Sequence, residues 1–595
     1  MTRDSDRLGV VPDDSARLKD LNKGLNLLWR VLGRYRLIAA ISIAGAIVWM
    51  VSVVAIPYLV GAIVDFAVNG DSSQLGPLFI GLIIAGVIQA IGIAIRRYFG
   101  FKLSYRAEAD IRNRIFTHIQ RMEFNFHDST STGELMARAS SDLSQLRMIL
   151  AMLPITLANL AMFLVVTIVL VIIDPVLGLV AALMIPALLL TSARFASRVV
   201  GYSFELQERL SDLSHVVEES VTGIEVIKSY GQELQQQRRL ENRAVAIYLS
   251  AMGMAKERAV HRPLFEIIPA LGTVAVLAVG GIRVVDGAMS IGEFVSFTQY
   301  LAVMVLPLMI TGWFFANLPR SAAAAARIDL LLATAPEIAD PRHPVQLSPG
   351  RGEVRFNNVH FEYPDGTKVL EGVDLVIPGG TSVGLVGATG AGKTTMAHLI
   401  PRFYDATSGS ISIDGIDVQT VSLDQLRSEV AVVFQESFLF SASISDNIRV
   451  GDQLASDKDV QAAARLAKAH DFICELPNGY DTVVGERGST LSGGQRQRVS
   501  LARGVVRDPR ILILDDATSS VDAVVESEIQ EALTQVMSGR TTVIIAHRTS
   551  TLALVDNVAF IEDGRIAAFG PHSTLLEEIP RYAAVLAAES PVVGV

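Results

Sequence analysis

The sequence has little of the chemistry that cross-links or metal clusters require. Its 595 residues include one cysteine, Cys474, so no intrachain disulfide can form and no cysteine cluster can bind a metal. We interpret Cys474 as a small core or surface residue. The formal net charge is −10, which gives no electrostatic support for a nucleic-acid partner. Residues 1–23 are polar and lack the apolar core of a secretory signal, so membrane insertion is expected to depend on the first long apolar segment.

Long apolar segments are abundant, by contrast, in roughly the first half of the chain. Apolar residues make up 50% of the sequence, and a helix needs about 20 of them to cross a bilayer. We predict six membrane spans: 37–66, 75–95, 149–172, 176–190, 264–282 and 294–315. The fourth is expected to extend beyond residue 190.

The connections between these spans fall into two kinds. Three are short and carry few basic residues, whereas those after the second and fourth spans are long and rich in arginine and lysine. Because basic residues favour the cytoplasmic side, we place both long connections and both termini there. Residues 107–122 and 206–248 have helical spacing and almost no glycine or proline, so we predict that the spans continue as helices into the cytoplasm. A separate soluble insertion is the alternative, and the lack of strand signals disfavours it.

The composition changes after a proline-rich segment. Alternating apolar residues at 354–361 predict a strand, and strand and helix patterns then alternate to the end of the sequence. The sequence therefore predicts a polar tail at 1–23, a transmembrane domain at 24–330, a linker at 331–352 and an α/β domain at 353–590.

A glycine-rich motif in the α/β domain follows a predicted strand and begins a helix. It fits G-x-x-x-x-G-K-[ST], in which backbone N–H groups surround phosphates, Lys393 reaches the β and γ oxygens and Thr394 supplies a Mg²⁺ ligand. A glycine-rich turn without a ligand is disfavoured, because an acidic strand end follows downstream. We predict that ATP is bound by Gly387, Thr389, Gly390, Ala391, Gly392, Lys393, Thr394 and Thr395.

The acidic strand end consists of Asp515 and Asp516, which follow the apolar residues 511–514. Together with the phosphate loop they predict a Mg²⁺ ligand at Asp515 and a water-polarising group at Asp516. ATPases of this kind usually place the longer glutamate at the second position. General-base catalysis requires hydrogen-bond reach, so the shorter Asp516 predicts weaker hydrolysis.

A further motif indicates the family. Residues 491–498 read L-S-G-G-Q-R-Q-R and resemble the signature of ATP-binding cassette (ABC) proteins. The resemblance implies that Tyr363 stacks on adenine, that Gln435 lies near Mg²⁺ and that His547 is the switch histidine, with Asp522 in the D-loop at 519–522. It also implies that Asp516, His547 and Gln435 form the catalytic set, and that Thr394, Gln435 and Asp515 hold Mg²⁺.

The signature also predicts a second subunit. Ser492, Gly493 and Gly494 at a helix N-terminus, with Gln495, form a site for a γ-phosphate. In the family this site closes over the nucleotide of another cassette. Since the sequence contains one cassette, the resemblance implies a second chain.

The resemblance extends over nearly the whole chain, because six spans followed by one cassette are typical of ABC exporters. Residues 482–488 resemble the X-loop of those exporters and 223–230 their second coupling helix, while the first is expected within 112–128. The implied fold is an α-helical six-span transmembrane domain with long cytoplasmic helix extensions, followed by an α/β P-loop NTPase (ABC-type) domain. The implied location is a membrane, the plasma membrane if the source is bacterial, with the cassette in the cytoplasm.

The implied function is ATP- and Mg²⁺-dependent export of an amphipathic, lipid-like or drug-like substrate. Asp516 favours a heterodimer in which this chain's own ATP site hydrolyses weakly and its signature serves the partner. A homodimeric exporter, an importer with an exporter fold, and an ATP-gated channel or regulator remain alternatives.

Substrate contacts are harder to predict. Glu266 is an acidic residue within the predicted fifth span, and its nearness to Arg258, His261 and Arg262 predicts an interfacial ion pair. Seven residues near the sixth span are candidates for lining a substrate cavity: Gln299, Met304, Met309, Thr311, Trp313, Phe314 and Phe315. For any single one of them, a lipid-facing or helix-packing role is favoured.

Overall fold

The computed structural model describes residues 14–516, 523–546 and 548–589, and the chain divides into two units. A helical unit comprises Met1–Gln120 and Ser131–Ala335, and a second unit comprises Arg121–Thr130 and Pro336–Val595. A ten-residue segment from between two long helices therefore belongs with the α/β part of the chain.

The helical unit is built from long helices and a few short ones. They are Asp14–Arg34, Arg36–Val68, Leu75–Ile119, Thr132–Ala137, the π-helical turn Arg138–Asp142, Leu143–Ile173, Pro175–Thr222, Ile224–Ser229, Glu233–His261, Leu264–Val285 and Ile291–Ala333. The predicted continuation of the spans beyond the membrane is confirmed, because Leu75–Ile119 and Pro175–Thr222 are unbroken helices of 45 and 48 residues.

Among the described residues, five helical segments are long and apolar enough to cross a membrane. They are Arg36–Val68, Leu75–Ile119, Thr132–Ile173, Glu233–Val285 and Ile291–Ala333. The predicted fourth span lies on the helix Pro175–Thr222, where the described residues contain a shorter apolar stretch, Pro175–Met184.

The helices Arg36–Val68 and Ile291–Ala333 approach each other at backbone distance. A Cβ atom at Gly292 would overlap the carbonyl oxygen of Gly61. Beside this contact, the carboxylate of Asp65 accepts hydrogen bonds from the Ser290 hydroxyl and the Gly292 N–H, each at 2.6 Å. Small residues allow such close helix packing in membranes, so this crossing depends on glycine at both positions.

Charged pairs join the helices in their extended parts. Arg327 donates from Nε and Nη2 to the two carboxylate oxygens of buried Asp142, at 2.9 and 2.5 Å. Buried Glu108 pairs with both Arg112, at 2.6 Å, and Arg147, at 3.3 Å. A buried carboxylate needs such partners, because an unpaired charge is costly to desolvate.

The ion pair predicted for Glu266 is wrong. Glu266 is exposed in the first turn of Leu264–Val285, and among the described residues it pairs with none of its three predicted partners. Instead, His261 Nδ1 lies 3.3 Å from Glu257 Oε2. The helix Glu233–His261 ends before Glu266, so helical spacing does not bring the expected groups together, and the carboxylate instead lies at the positive end of its own helix.

The described residues of the second unit form ten strands. They are β1 (Val354–Glu362), β2 (Lys368–Ile377), β3 (Ser382–Val386), β4 (Ser408–Ile413), β5 (Ile416–Asp417), β6 (Val430–Val433), β7 (Ile511–Asp515), β8 (Thr541–Ile545), β9 (Asn557–Glu562) and β10 (Arg565–Gly570). The predicted strand at 354–361 is confirmed by β1.

The helices of this unit are mostly short. The α-helices are Phe124–Ser129, Lys393–Leu399, Leu423–Glu429, Ile444–Arg449, Asp457–Leu466, His470–Glu475, Gly493–Val505, Ala523–Met537, Thr549–Leu552, His572–Glu578 and Pro580–Glu589. The 3₁₀ turns are Val418–Thr420, Gly479–Asp481 and Glu486–Gly488. Cys474, on the helix His470–Glu475, is exposed and is therefore a surface residue.

The strands form two sheets. One is antiparallel with the order β2-β1-β4-β5, and the other has the order β10-β9-β3-β8-β7-β6, with parallel pairs throughout except for β9 and β10. Strands β3 and β7 are completely buried and both pair with β8. Ligands bind at the carboxyl ends of such parallel strands, so the loop after β3 and the carboxylates after β7 lie at one edge of the sheet.

The glycine contact in the helical unit generates a stability prediction. We expect Gly292→Ala to lower the stability of the membrane unit by about 1–3 kcal/mol, because the methyl group forces two helix backbones apart. Gly86→Ala is the matched control, since a Cβ there meets no atom within 4 Å. Thermal unfolding in detergent should show a lower midpoint for Gly292→Ala alone. Equal midpoints for both variants would contradict a tight crossing.

Candidate functional site

The loop between β3 and the helix Lys393–Leu399 is shaped by glycine and closed by a lysine. Gly390 and Gly392 have φ angles of 85° and 99°, which glycine adopts without steric cost. A Cβ at Gly387 would overlap the carbonyl oxygen of Ile561. The buried Lys393 ammonium donates to the carbonyl oxygens of Gly387 at 2.5 Å and Ala388 at 3.1 Å. Its positive charge therefore lies inside the loop, as phosphate binding requires.

The remaining predicted residues of this loop differ in exposure. Ala391 is half-buried, Thr389 and Thr394 are exposed, and Thr395 is buried in the first turn of the helix. An exposed hydroxyl at Thr394 can face a nucleotide, whereas Thr395 faces the protein. Thr394, Gln435 and Asp515 together offer a hydroxyl, an amide and a carboxylate oxygen, which are ligands that suit Mg²⁺. Their joint role as a Mg²⁺ site stays a prediction.

The two carboxylates at the end of β7 are both buried, at 9% and 8% exposure for Asp515 and Asp516. The Asp516 N–H donates to the Ile545 carbonyl oxygen at 3.1 Å, which fixes the backbone against β8. Gln435 Nε2 donates to Asp516 Oδ2 at 3.3 Å. The structure therefore brings Gln435 and Asp516 together, and the glutamine occupies one oxygen of the shortened carboxylate.

The backbone at Asp516 is also unusual. Its φ of 42° lies in the left-handed region, which aspartate adopts more readily than most side chains do. The strand β7 thus ends at a sharp change in chain direction that presents the Asp516 carboxylate to Gln435.

The signature begins the helix Gly493–Val505 with a capping box. Ser492 Oγ accepts from the Gln495 N–H at 3.3 Å, and Gln495 Oε1 accepts from the Ser492 N–H at 2.9 Å. Gln495 thereby stabilises the start of its own helix. Ser492 is exposed and Gly493 is half-buried, whereas Gly494 is buried. The exposed helix N-terminus, with its positive dipole end, is open to a ligand from outside.

Tyr363 lies next to the phosphate loop. Its hydroxyl is 3.1 Å from Thr395 Oγ1, and its ring meets the rings of Phe361 and Tyr404 edge-on, with centroids 4.8 and 5.8 Å away. The ring is half-buried, so it is positioned by protein on one side and accessible on the other. This placement suits an adenine-stacking role.

An aromatic cluster connects this tyrosine to residues 121–130. Phe124 stacks on Phe403 with ring centroids 4.4 Å apart, and the Tyr404 hydroxyl donates to Asp128 at 2.5 Å. Burial and this hydrogen bond raise the pKa of Tyr404 well above its usual value, so the hydroxyl stays a donor. Burial lowers the pKa of neighbouring His398, which favours its neutral form. The cluster gives a direct route from the nucleotide side of Tyr363 to Phe124–Ser129.

Sequence reasoning missed Phe403 and Tyr404. They belong to no motif, and Tyr404 is 276 positions from the carboxylate it binds. The short helices Phe124–Ser129 and Ile224–Ser229 do lie at the two places expected for coupling helices, although the first ends one residue beyond the expected range.

Three other predicted features have different outcomes. His547 and the D-loop at 519–522, including Asp522, lie outside the described residues. The predicted X-loop is held by backbone bonds from Ile444 N to Thr482 O and from Val484 N to Ala442 O, each 3.0 Å long.

The seven cavity candidates separate by burial. Met309 and Trp313 line a cavity in the helical unit. Met304, Thr311 and Phe314 are buried among helices, while Gln299 is half-buried and Phe315 is exposed.

Comparisons with known proteins identify both parts of the chain. Residues 39–308 match the model of the ABC transporter transmembrane region, and residues 370–519 match the model of the ABC transporter domain. Among solved structures, a bacterial Atm1-family ABC exporter with ATP bound is similar at a TM-score of 0.78 and 28% identity, over 94% of this chain and 99% of that one.

Curated relatives are similar over most of this chain. An uncharacterized ABC transporter ATP-binding protein of Bacillus subtilis is 33% identical over 95% of this chain and 94% of its own length. An ATP-dependent lipid A-core flippase of Syntrophus aciditrophicus is 35% identical over 81% of this chain and 80% of its own. A multidrug efflux ATP-binding/permease protein of Mycobacterium tuberculosis is 34% identical over 94% of this chain, which spans 47% of that relative's length.

The position of Tyr363 generates a binding prediction. Tyr363→Ala should weaken ATP binding by about 5- to 150-fold, because stacking of a base on an aromatic ring contributes about 1–3 kcal/mol. Tyr363→Phe removes the bond to Thr395 but keeps the ring, so its affinity should stay near that of the unaltered chain. Titration with a fluorescent ATP analogue measures both. Equal losses in the two variants would show that the hydroxyl, and not the ring, matters.

Proposed function

Because the chain belongs to the ABC transporter family and joins its transmembrane region to its ATPase domain, we propose that it is one half of an ATP-driven membrane exporter. The chain is an integral, multi-pass membrane protein with the ABC exporter fold. The proposed reaction is ATP hydrolysis coupled to outward movement of an amphipathic substrate, with both termini and the cassette in the cytoplasm.

The observation that carries this proposal is the packing of half-buried Phe124 against the aromatic side chains of the cassette. Residues 121–130 follow the membrane helix Leu75–Ile119 directly, yet their contacts place them in the ATPase unit. Phe124 stacks on Phe403, and the Asp128 carboxylate accepts from Tyr404. If the ATPase domain moves when ATP binds, it would carry residues 121–130 with it, as rigid-body coupling requires.

The cassette residues divide the work on ATP. Lys393 binds and neutralises phosphate charge, Tyr363 orients the adenine, and Mg²⁺ held by Thr394, Gln435 and Asp515 would stabilise charge on the phosphates. Asp516 would accept a hydrogen bond from the attacking water. Gln435 donates to Oδ2 of Asp516, so the oxygen that remains for the water is Oδ1.

We further infer that hydrolysis is asymmetric. Asp516 reaches one methylene less far than glutamate and is engaged by Gln435, whereas the signature residues Ser492 to Gln495 form an intact capped helix N-terminus. A heterodimer fits this combination, because the signature would complete a partner's stronger site while this chain's own site turns over slowly. A homodimer with modest activity at both sites would need Asp516 to act as a sufficient base.

The names of relatives support the substrate class. One is a multidrug efflux protein and another a lipid A-core flippase, so both act on molecules with apolar parts. The proposed substrate of this chain is likewise amphipathic, either lipid-like or drug-like.

Asp516 generates the prediction that tests the asymmetry. Asp516→Glu should raise ATP turnover about tenfold or more when the chain is purified with its partner subunit, because the longer carboxylate reaches the water. The left-handed backbone at this position should also cost the variant some stability, about 1 kcal/mol. Phosphate release and the unfolding midpoint measure the two effects.

Two variants serve as controls for this experiment. Asp515→Glu lengthens the neighbouring carboxylate by the same methylene and should lower turnover, since it displaces a proposed Mg²⁺ ligand. Lys393→Ala should lower turnover in both backgrounds. Full turnover by the unaltered chain alone, or no gain from Asp516→Glu with the partner present, would contradict the heterodimer.

Phe124 generates a coupling prediction. In a Cys474→Ser background, spin labels at the exposed positions Val68 and Val285 report the separation of two predicted outer helix ends. We expect ATP with vanadate to shift their distance distribution by several ångströms in the parent. Phe124→Ala should remove most of the shift while ATP still binds.

Phe116→Ala is the matched control, since Phe116 is a 64% exposed aromatic on the preceding helix. An unchanged shift in Phe124→Ala would show that the aromatic stack does not transmit movement.

A further inference from the structure

The helical unit contains a cavity of about 850 Å³ whose wall combines apolar side chains with a concentration of positive charge. Four arginines line it: Arg96, Arg97, Arg258 and Arg320. Among the described residues that line it, none is acidic. The described wall of the cavity thus carries arginines and no carboxylate.

The apolar part of the wall is long and contains several methionine side chains. It includes Met148, Met152, Ile155, Leu306, Met309 and Trp313. Methionine side chains adapt to apolar ligands of irregular shape. On one helix Leu306 precedes Arg320 by 14 residues, which corresponds to about 21 Å along the axis. That length exceeds half the hydrocarbon thickness of a bilayer, about 15 Å, so the wall can accommodate an apolar chain.

Arg96 is held in place but incompletely bonded. Its carbonyl oxygen accepts from the Ser42 hydroxyl at 2.9 Å, and its guanidinium carbon lies 5.3 Å from the centre of the Trp49 ring. The Nε–H is buried and has no hydrogen-bond partner in the part of the chain that the structure describes. A buried unpaired donor is costly, and a ligand oxygen would remove that cost.

The charges of Arg97 and Arg258 are also not balanced by protein. Among the described residues, neither forms an ion pair with a carboxylate. The acidic neighbour of Arg258 in sequence is Glu257, which lies 3.3 Å from His261 and 3.4 Å from Arg198. Arg97 and Arg258 line the same cavity without a paired carboxylate, so this arrangement favours a bound anion.

We propose that the cavity binds an anionic amphiphile, with a phosphate or carboxylate headgroup at the arginines and its apolar chain along the methionine wall. Long basic side chains at membrane ends can simply extend to the water. Here, however, arginines from three helices face one apolar cavity, and Arg96 has its Nε–H buried. The inference rests on the proposed exporter function and names its substrate class.

The arginines lie at the cytoplasmic ends of the predicted spans, so the headgroup enters from that side.

Matched probes test this assignment. Dodecyl phosphate supplies both parts of the ligand, inorganic phosphate supplies the charge alone, and dodecyltrimethylammonium supplies the same chain with the opposite charge. Binding is measured by equilibrium dialysis in neutral maltoside detergent, with protein-free micelles subtracted. The chain carries Lys393→Ala throughout, so the result does not depend on ATP hydrolysis and is distinguishable from a failure of the exporter function.

Two arginines close in sequence, one within the helix Glu233–His261 and one directly after it, provide a matched pair of variants. Arg258 lines the cavity, whereas Arg262, four residues later, does not. Arg258→Gln should weaken dodecyl phosphate binding about tenfold, as expected for loss of a charge-assisted contact. Arg262→Gln should leave binding unchanged, and Arg258→Lys should recover part of the loss. Unfolding midpoints equal to that of the parent show that the variants remain folded.

The outcomes separate the possible ligands. Saturable binding of dodecyl phosphate alone, weakened by Arg258→Gln and not by Arg262→Gln, supports the assignment. Equal affinity for inorganic phosphate would overturn it in favour of a free-anion site. Equal affinity for dodecyltrimethylammonium, or equal losses in both glutamine variants, would overturn it in favour of non-specific adsorption at the membrane surface.

Discussion

The stack of Phe124 on Phe403 is the contact on which the rest of the account depends. It places residues 121–130, which lie between two helices of the membrane unit, among the side chains of the ATPase core. The stack joins two half-buried aromatic rings, and the Tyr404–Asp128 hydrogen bond fixes its orientation. Changes at Tyr363 can therefore reach Phe124 through neighbouring rings.

We propose that Asp516 sets how strongly this chain's own nucleotide drives that connection. The phosphate loop, with Lys393 inside it, retains what binding requires, and the signature helix begins with a capping box. In this proposal the shortened carboxylate and its bond to Gln435 weaken hydrolysis and leave ATP binding intact. ATP held by this chain would then close the assembly, while a partner's site, completed by Ser492, would set the rate of the cycle.

The sequence predicts local features well and distant contacts poorly. Apolar periodicity identified the helix over Leu75–Ile119 beyond its membrane part, and motif spacing identified the loop around Lys393, because both depend on neighbouring residues. The convergence of Arg96 with Arg258 and the approach of Tyr404 to Asp128 depend on folding of distant segments, so no local pattern reveals them. The Glu266 prediction failed for a related reason, since it relied on nearness in sequence, and the helix Glu233–His261 ends before Glu266. His547 and Asp522 remain predictions.

The central claim is that ATP hydrolysis drives an anionic amphiphile outward through the membrane unit. The most direct measurement uses vesicles that contain the chain with its partner subunit, cassettes outward, and an anionic lipid labelled with a fluorophore that a membrane-impermeant reductant quenches. The account predicts that ATP raises the fraction of label protected in the lumenal leaflet, and that Lys393→Ala in both subunits removes the increase. The same protected fraction with and without ATP would contradict it, because a channel or a passive scramblase cannot build a gradient.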